Sequence, residues 1–403
     1  MSCTTLKLLV VVAVLTGATA SQAFPTMVRH GYASCQACHV DPSGGGQLTA
    51  YGRAQSDLLV GWHFDPKVIE EGEASPTTGF LWGLVPLPEQ LNVSGNVRGG
   101  GLFNTTVTGP TAGEGAGLRP LLMAADLAAT VNLDWFIAHA VVGYGARAVG
   151  PAVVISDKSG PDNALVAREY WAGARFIDDQ LTIRAGRIPL PFGLRNNEHT
   201  SLVRSLTRTD TNVQQQHGLA LAWNTEGWRA EVMVLLGNYQ IRPDAFRERG
   251  AVAFAEWAVS QNFTLGASSL ATWANADIDA GVPLLRQVHG GFVRWAPVTS
   301  LALLAEVDAV INYSSADVWG AGAVGWLQAD WEPIQGVHLI PAVEAGQTDT
   351  TSALPTMGGW MTVSWFALPH TELRLDTIYR QVSPANVDSI GSFTALAQVH
   401  FFL

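Results

Sequence analysis

The stretch 371–381, TELRLDTIYRQ, decides how the rest of the chain is read. Leu373, Leu375, Thr377 and Tyr379 alternate with Glu372, Arg374, Asp376 and Arg380. Successive side chains of a strand point to opposite faces, so one face is apolar and the other carries charge. The stretch 300–312, SLALLAEVDAVIN, repeats the pattern, with Leu301, Leu303, Val307 and Ile311 set against Glu306, Asp308 and Asn312. A soluble β-sandwich alternates too, with its apolar face turned inward. A membrane barrel turns the apolar face to lipid and the charged face to a polar lumen.

The spacing of the links favours the barrel. From about Glu89 onward the chain falls into pieces of about ten to fifteen residues with strand character. Short turns stand at 132–134, 178–180, 224–227, 260–262, 296–299, 332–335 and 368–370. Longer polar links alternate with them, at 108–117, 151–163, 189–216, 241–250, 274–283, 313–320, 348–356 and 383–391. Together they separate about sixteen strands, an even number, as in bacterial single-chain barrels. The predicted fold is therefore all-β, a transmembrane antiparallel β-barrel over 89–403. Its short turns and both chain ends are expected on the periplasmic side of a bacterial outer membrane. Trp135, Trp171, Trp228 and Trp331 sit near strand ends, where aromatic girdles lie. The ending FTALAQVHFFL reads as a last strand with Phe393, Val399, Phe401 and Leu403 on one face.

Bulk composition agrees. Mean hydropathy is +0.17 and charged residues make up 14%, yet beyond the N-terminus no apolar run reaches the 18 or so residues of a spanning helix. At the N-terminus Lys7 precedes an apolar run too short to span, followed by small residues up to Ala23. Residues 1–23 read as a secretory signal peptide, which takes Cys3 with it. Net charge is −11 with Lys7 included and −12 without it. An acidic chain of this kind is a poor nucleic-acid binder, and none is expected as a partner.

Two cysteines are left, in HGYASCQACHVDPSGGG, residues 30–46. Cys35, Cys38 and His39 have the spacing C-x-x-C-H, the attachment motif for c-type haem. Two thiols add across the porphyrin vinyl groups, and the adjacent His39 is the proximal ligand of the iron. A redox C-x-x-C would call for a βαβ context, and zinc for two further ligands at matching spacing; neither is visible. One motif predicts one haem c. For the sixth ligand His30 comes first, with Met27 and His63 as the other candidates of the segment, and a lumen histidine such as His139, His338 or His400 beyond it. Pro42 and the triple glycine permit a tight reversal, which would let Tyr51 and Arg53 fold back over the ring or its propionates. The alternative for this stretch is a plain flexible linker. Residues 24–65, the haem segment, are too few to wrap a haem with a core of their own. The lumen of a sixteen-strand barrel is wide enough to hold a plug, so the segment is expected inside it. Residues 66–88, with four prolines and an acidic run, are a linker into the barrel.

These residues resemble the fused cytochrome–porins of bacterial outer membranes, the group that includes the outer-membrane iron oxidases. The likeness lies in AFPTMVR before the motif, CQACH itself, then Pro42, Leu48 and Tyr51-Gly52-Arg53, ahead of a barrel. It implies electron transfer at the outer membrane. An extracellular donor, Fe(II) in the iron oxidases, would reduce the haem, and a periplasmic c-type cytochrome or other redox protein would take the electron. Cys35 and Cys38 would then be the covalent attachments and His39 the axial ligand. The triple glycine and the short barrel depart from the pattern expected of iron oxidases. A single haem does not span about 30 Å of bilayer, so one partner must reach into the barrel. Two other functions fit the residues: a passive porin whose haem segment is a plug, and a haem enzyme of peroxidase type with an open sixth position.

One stretch of the barrel stands apart, AGRIPLPFGLRNNEHTSLVRSLTRTDTNVQQQHG, residues 185–218. Arg187, Arg195, Arg204 and Arg208 make it the most basic part of an acidic chain. Two placements are open: a solvated extracellular loop, or a loop folded inward to close the lumen or hold an anion.

Overall fold

The structure of the protein, a computed structural model, describes residues 25–32, 35–62, 79–109, 112–113, 116–146, 153–154, 163–195, 198, 201–211, 214–237, 247–277, 280–314, 319–351, 354–384 and 388–402. Seventeen strands form one antiparallel sheet, and one of them is the two-residue Val153–Val154. Sixteen long strands remain, from Leu91–Thr108 to Ile390–Phe402. The first pairs with both the second and the last, with Leu91 opposite Val131 and Asn96 opposite Phe402. The sheet is therefore a closed barrel without a free edge. All seven predicted turns and all eight predicted longer links fall between successive strands. The short turns share one end of the barrel with Leu91 and Phe402; we call it the turn end, and the opposite one the loop end.

Burial along the strands is inverted relative to a soluble protein. In Trp228–Gly237 the exposed residues are Trp228, Val232, Val234 and Leu236, while Arg229 and Glu231 are buried. In Thr371–Val382 Leu373, Leu375 and Tyr379 are exposed and Glu372, Arg374 and Asp376 are buried, as the alternation predicts. Val307, at 63% exposure, stands between Glu306 and Asp308, at 1% each. Apolar residues outside and charges inside are the arrangement that lipid and a polar lumen select. Trp135, Trp228, Trp257, Trp295, Trp331 and Trp365 are all exposed and lie close to short turns, forming a belt at the turn end. Trp171 is the exception among the four predicted girdle residues, because it faces inward and is 4% exposed. In the last strand Val399 and Phe401 are exposed, while Leu403 lies outside the described residues.

Several inward charges are paired, since an unpaired buried charge is costly. Glu256 bridges Arg229 at 2.5 Å and Arg294 at 2.7 Å, and Glu344 holds Arg380 at 2.7 Å. The long link after Leu181–Ile188 folds into the lumen from the loop end, which decides between its two predicted placements. Leu190 and Phe192 pack among Trp171, Met233, Val252 and Val288. Leu194, Leu202 and Val203 pack among Phe254, Phe292, Leu304 and Trp326. Its short helix, Leu202–Thr207, lies against the strands Leu301–Ser314, Trp319–Ile334 and Val337–Gln347. Sequence reading left this placement open because the arginines of the link mask its apolar residues. Here Arg187, Arg195 and Arg204 are buried and Arg208 is half-buried: Arg204 pairs with Glu306, and Arg208 meets Asp277 at 2.5 Å.

Candidate functional site

Residues 35–39 form one helical turn, with the amides of Cys38 and His39 donating to Cys35 O at 3.2 and 3.0 Å. Cys35 is half-buried and Cys38 buried, both as free thiols. Burial, then the neighbouring Cys35, pushes the Cys38 thiol up to about 11. A reversal follows. Val40 N donates to Gln47 O at 3.0 Å and Thr49 N to Cys38 O at 2.9 Å, so the chain returns beside the motif. Gly44, Gly45 and Gly46 all have positive φ, at 89°, 89° and 64°, a region that glycine enters without a Cβ clash. A Cβ on Gly44 would also stand 2.7 Å from Cys35 Cβ. The triple glycine is therefore a built turn and not a loose tether.

This turn fixes His39. Its Nδ1 lies 2.8 Å from Gly45 O. A carbonyl only accepts, so Nδ1 carries the proton and Nε2 keeps its lone pair. His39 is 2% exposed, and Nε2 has no hydrogen-bond partner. Burial lowers its pKa to about 4, with the Gly45 carbonyl acting in the opposite sense. A neutral imidazole held through Nδ1 by a backbone carbonyl, with a free Nε2, is the state in which histidine binds metal.

His39 lines a cavity of ≈ 670 Å³ at the turn end of the barrel, within the size range of cofactor pockets. Its wall also carries Arg53, Asn92, Trp171, Arg175 and Thr182. Each also carries a buried polar atom without a hydrogen-bond partner: Arg53 Nε, Asn92 Oδ1, Trp171 Nε1, Arg175 Nε and Thr182 Oγ1. Buried polar atoms are normally satisfied. The two arginines are pinned elsewhere, Arg53 to Val93 O at 2.9 Å and Arg175 to Asp134 O at 2.7 Å, so each holds its Nε–H in place. One free imidazole nitrogen and two guanidinium N–H groups suit a metalloporphyrin with two carboxylates, and the residues present fit a haem. Arg53 was expected here on sequence. Trp171, Thr182 and Arg175 were not, because they belong to barrel strands far away in the chain.

The fit of the motif to its flank is equally specific. A Cβ on Gly52 would lie 2.2 Å from Cys38 O, so the helix Ala50–Leu59 needs glycine to pack on the motif. Thr49 caps that helix, accepting from Gly52 N at 3.0 Å. Tyr51 lines the cavity while half exposed, and its hydroxyl meets that of Tyr32 at 2.8 Å. From the predicted linker, Phe80, Leu87 and Pro88 close the cavity.

The candidate sixth ligands lie elsewhere. His30 ends a 3-10 turn over Pro25–His30, near Glu332 and His338, and is not among the cavity-lining residues. Met27 packs against Val60, Phe366 and Phe402. His63 lies outside the described residues. Thr130 Oγ1 lies 2.9 Å from His139 Nδ1, Asp330 Oδ1 2.9 Å from His338 Nδ1, and Glu372 Oε2 3.0 Å from His400 Nδ1. Among the described residues that line the cavity, His39 is the only histidine.

The segment 25–62 is tied to inward residues of the barrel. Arg29 bridges Asp330 at 2.9 Å and Glu332 at 3.2 Å, and Arg184 meets Asp41 at 3.0 Å. Gln47 accepts from Thr130 at 2.5 Å, and Trp62 N donates to Phe366 O at 2.9 Å.

No family model and no curated protein matches this chain. Solved structures match it as a fold. A loop L8 deletion mutant of OmpT, an outer membrane protein of Vibrio cholerae, superposes with a TM-score of 0.58 at 8% identity, covering 78% of this chain and 99% of its own. The outer membrane channel DcaP of Acinetobacter baumannii gives 0.56 at 9%, covering 78% and 97%. An anion-selective porin from Comamonas acidovorans gives 0.55 at 7%, covering 78% and 100%. The barrel is thus a porin fold.

Proposed function

We propose that this chain is an outer-membrane electron-transfer protein in which one haem c, carried by an N-terminal segment that plugs the lumen, sits at the turn end of a porin-type barrel. Cys35 and Cys38 would hold the haem covalently, His39 would ligate its iron, and Arg53 and Arg175 would offer positive charge to its carboxylates. The observation that carries this reading is His39: buried, fixed through Nδ1, without a partner at Nε2, and on the wall of a cavity that neither Cys35 nor Cys38, both free, itself lines. A haem bound there supplies one-electron chemistry. The residues of the chain exclude water from it, orient it and neutralise its carboxylates.

The short turns share one end of the barrel with Leu91 and Phe402, the first and last described barrel-strand residues, which fits a periplasmic turn end. A soluble redox protein such as a periplasmic c-type cytochrome would then dock at the turn end, and an external donor, Fe(II) among the possibilities, would act from the loop end. Detergent-purified, oxidised protein mixed with Fe(II) tests the function. Appearance of the reduced α-band within seconds supports inward electron flow from iron. Reduction by dithionite but not by Fe(II) removes iron as the donor, and absence of an α-band under dithionite removes the haem.

A passive porin is the second reading, favoured by the fold shared with an anion-selective porin. Ohmic single-channel conductance with slow haem reduction would support it. Rapid carbon monoxide binding to the reduced protein would support the peroxidase-like alternative.

A further inference from the structure

The turn that fixes His39 is gripped by inward residues of the barrel and of the long link. Asp41 Oδ1 accepts from Ser43 N at 2.9 Å and Ser43 Oγ at 2.7 Å, which closes the turn on itself. Arg229 donates to Ser43 O at 2.9 Å. Arg195 donates to Ser43 Oγ, and it comes from the long link that enters at the loop end. Its backbone is rigidly placed: Gly193 N donates to Ser268 Oγ at 2.8 Å and Leu194 N to Glu306 Oε2 at 3.0 Å. Phe192 and Leu194, the apolar residues just before Arg195, are 1% and 2% exposed. Arg195 itself is 8% exposed and Ser43 is 3% exposed. A continuous set of contacts thus runs from the inward link through Arg195 and Ser43 to the glycine turn, and through Gly45 O to His39 Nδ1.

We infer that Arg195 is a positioning residue for the haem ligand: it clamps the 41–45 turn whose Gly45 carbonyl orients His39, and its buried positive charge raises the potential of the haem. The inference rests on the haem reading and gives the inward link a role beyond closing the lumen. Of the arginines around the turn, Arg184 and Arg195 share the charges of Asp41 and Glu231, and Arg229 shares Glu256 with Arg294. Removing Arg195 leaves the Asp41 side of the turn more negative, which favours the oxidised, more positive iron. The potential must therefore fall.

The test is a spectroscopic redox titration of the purified full chain, comparing wild type with Arg195→Gln, Arg195→Lys and Ser43→Ala. In Arg195→Gln the haem stays covalently attached. Its ratio of oxidised to reduced form at fixed ambient potential rises about tenfold, or about 59 mV for a one-electron couple. Arg195→Lys keeps the charge and restores most of the potential. Ser43→Ala loses the contact but not the charge and shifts the ratio less, in the same direction. Ratios within twofold of wild type in both Arg195→Gln and Ser43→Ala overturn the inference. Should Arg195→Gln lose the heat-dependent gel mobility of a folded barrel, Ser43→Ala decides alone. A wild type without an α-band defeats the haem reading itself, a result distinct from a haem whose potential ignores Arg195.

Discussion

Two chain segments enter the lumen, and they are held there by different physics. The link after Ile188 is held by burial: Leu190, Phe192, Leu194, Leu202 and Val203 lie in two apolar clusters. Each such side chain contributes about 1.5–3 kcal/mol on leaving water. The segment 25–62 buries far fewer apolar side chains, chiefly Val28, Leu48 and Val60. It is tied instead by Arg29, Asp41, Gln47 and Asp57, and it keeps a ≈ 670 Å³ cavity with unpartnered atoms on its wall. A segment that has packed itself full is a closure. One that leaves room beside fixed polar groups is a candidate binding site.

The largest expected effect breaks the two apart. Replacing Cys35 and Cys38 together by alanine removes all covalent haem, read by the loss of haem stain on denaturing gels, while the barrel and its inward link still fold. Next, Phe192→Ala removes a 1%-exposed ring from the inward link. It should cost about 3–5 kcal/mol, seen as a lower denaturant midpoint, with the α-band of the native protein unchanged. Gly44→Ala acts on the other segment. A residue at φ +89° with a Cβ costs about 1–2 kcal/mol from backbone strain alone, and the contact with Cys35 adds to it. The expected outcome is a lower temperature for loss of the Soret signal, with the bulk melting of the sheet unmoved.

The smallest effect concerns pH. Asp57, in the helix Ala50–Leu59 and 3.6 Å from His370 Nε2, is lifted by burial to about 7, with Arg53 pulling it back. The folded chain then keeps a proton that the unfolded chain gives up near pH 4. Stability of the docked segment falls as pH rises from about 4 to about 7 and levels off above. Between pH 6 and 8 the loss is about 1 kcal/mol, and Asp57→Asn flattens it, measured by urea-induced loss of the Soret signal at each pH.

Sequence pattern carried the barrel well because its two periods are local. Strand alternation is visible in Leu373/Arg374/Leu375/Asp376, and turn length in residues such as Asp178-Asp179-Gln180. Cys35, Cys38 and His39 can be proposed as haem residues for the same reason, since the motif occupies five consecutive residues. Trp171 and Arg175 were not: nothing near them in the chain marks them as cavity residues, and Trp171 resembles the girdle tryptophans in spacing alone. The inward link was ambiguous because burial of Arg195 and Arg204 depends on Ser43 and Glu306, partners more than a hundred residues distant. Composition left the triple glycine open between a tight reversal and a flexible linker. Only its carbonyl contact with His39 shows what the turn is for.

The measurement that bears most directly on the central claim is a pyridine haemochrome assay on the full chain, made in a host with c-type haem maturation and scaled to protein concentration. One covalent haem c per chain is predicted, abolished when Cys35 and Cys38 are both replaced. A folded barrel with no covalent haem, or with a haem that survives loss of both cysteines, would contradict the account.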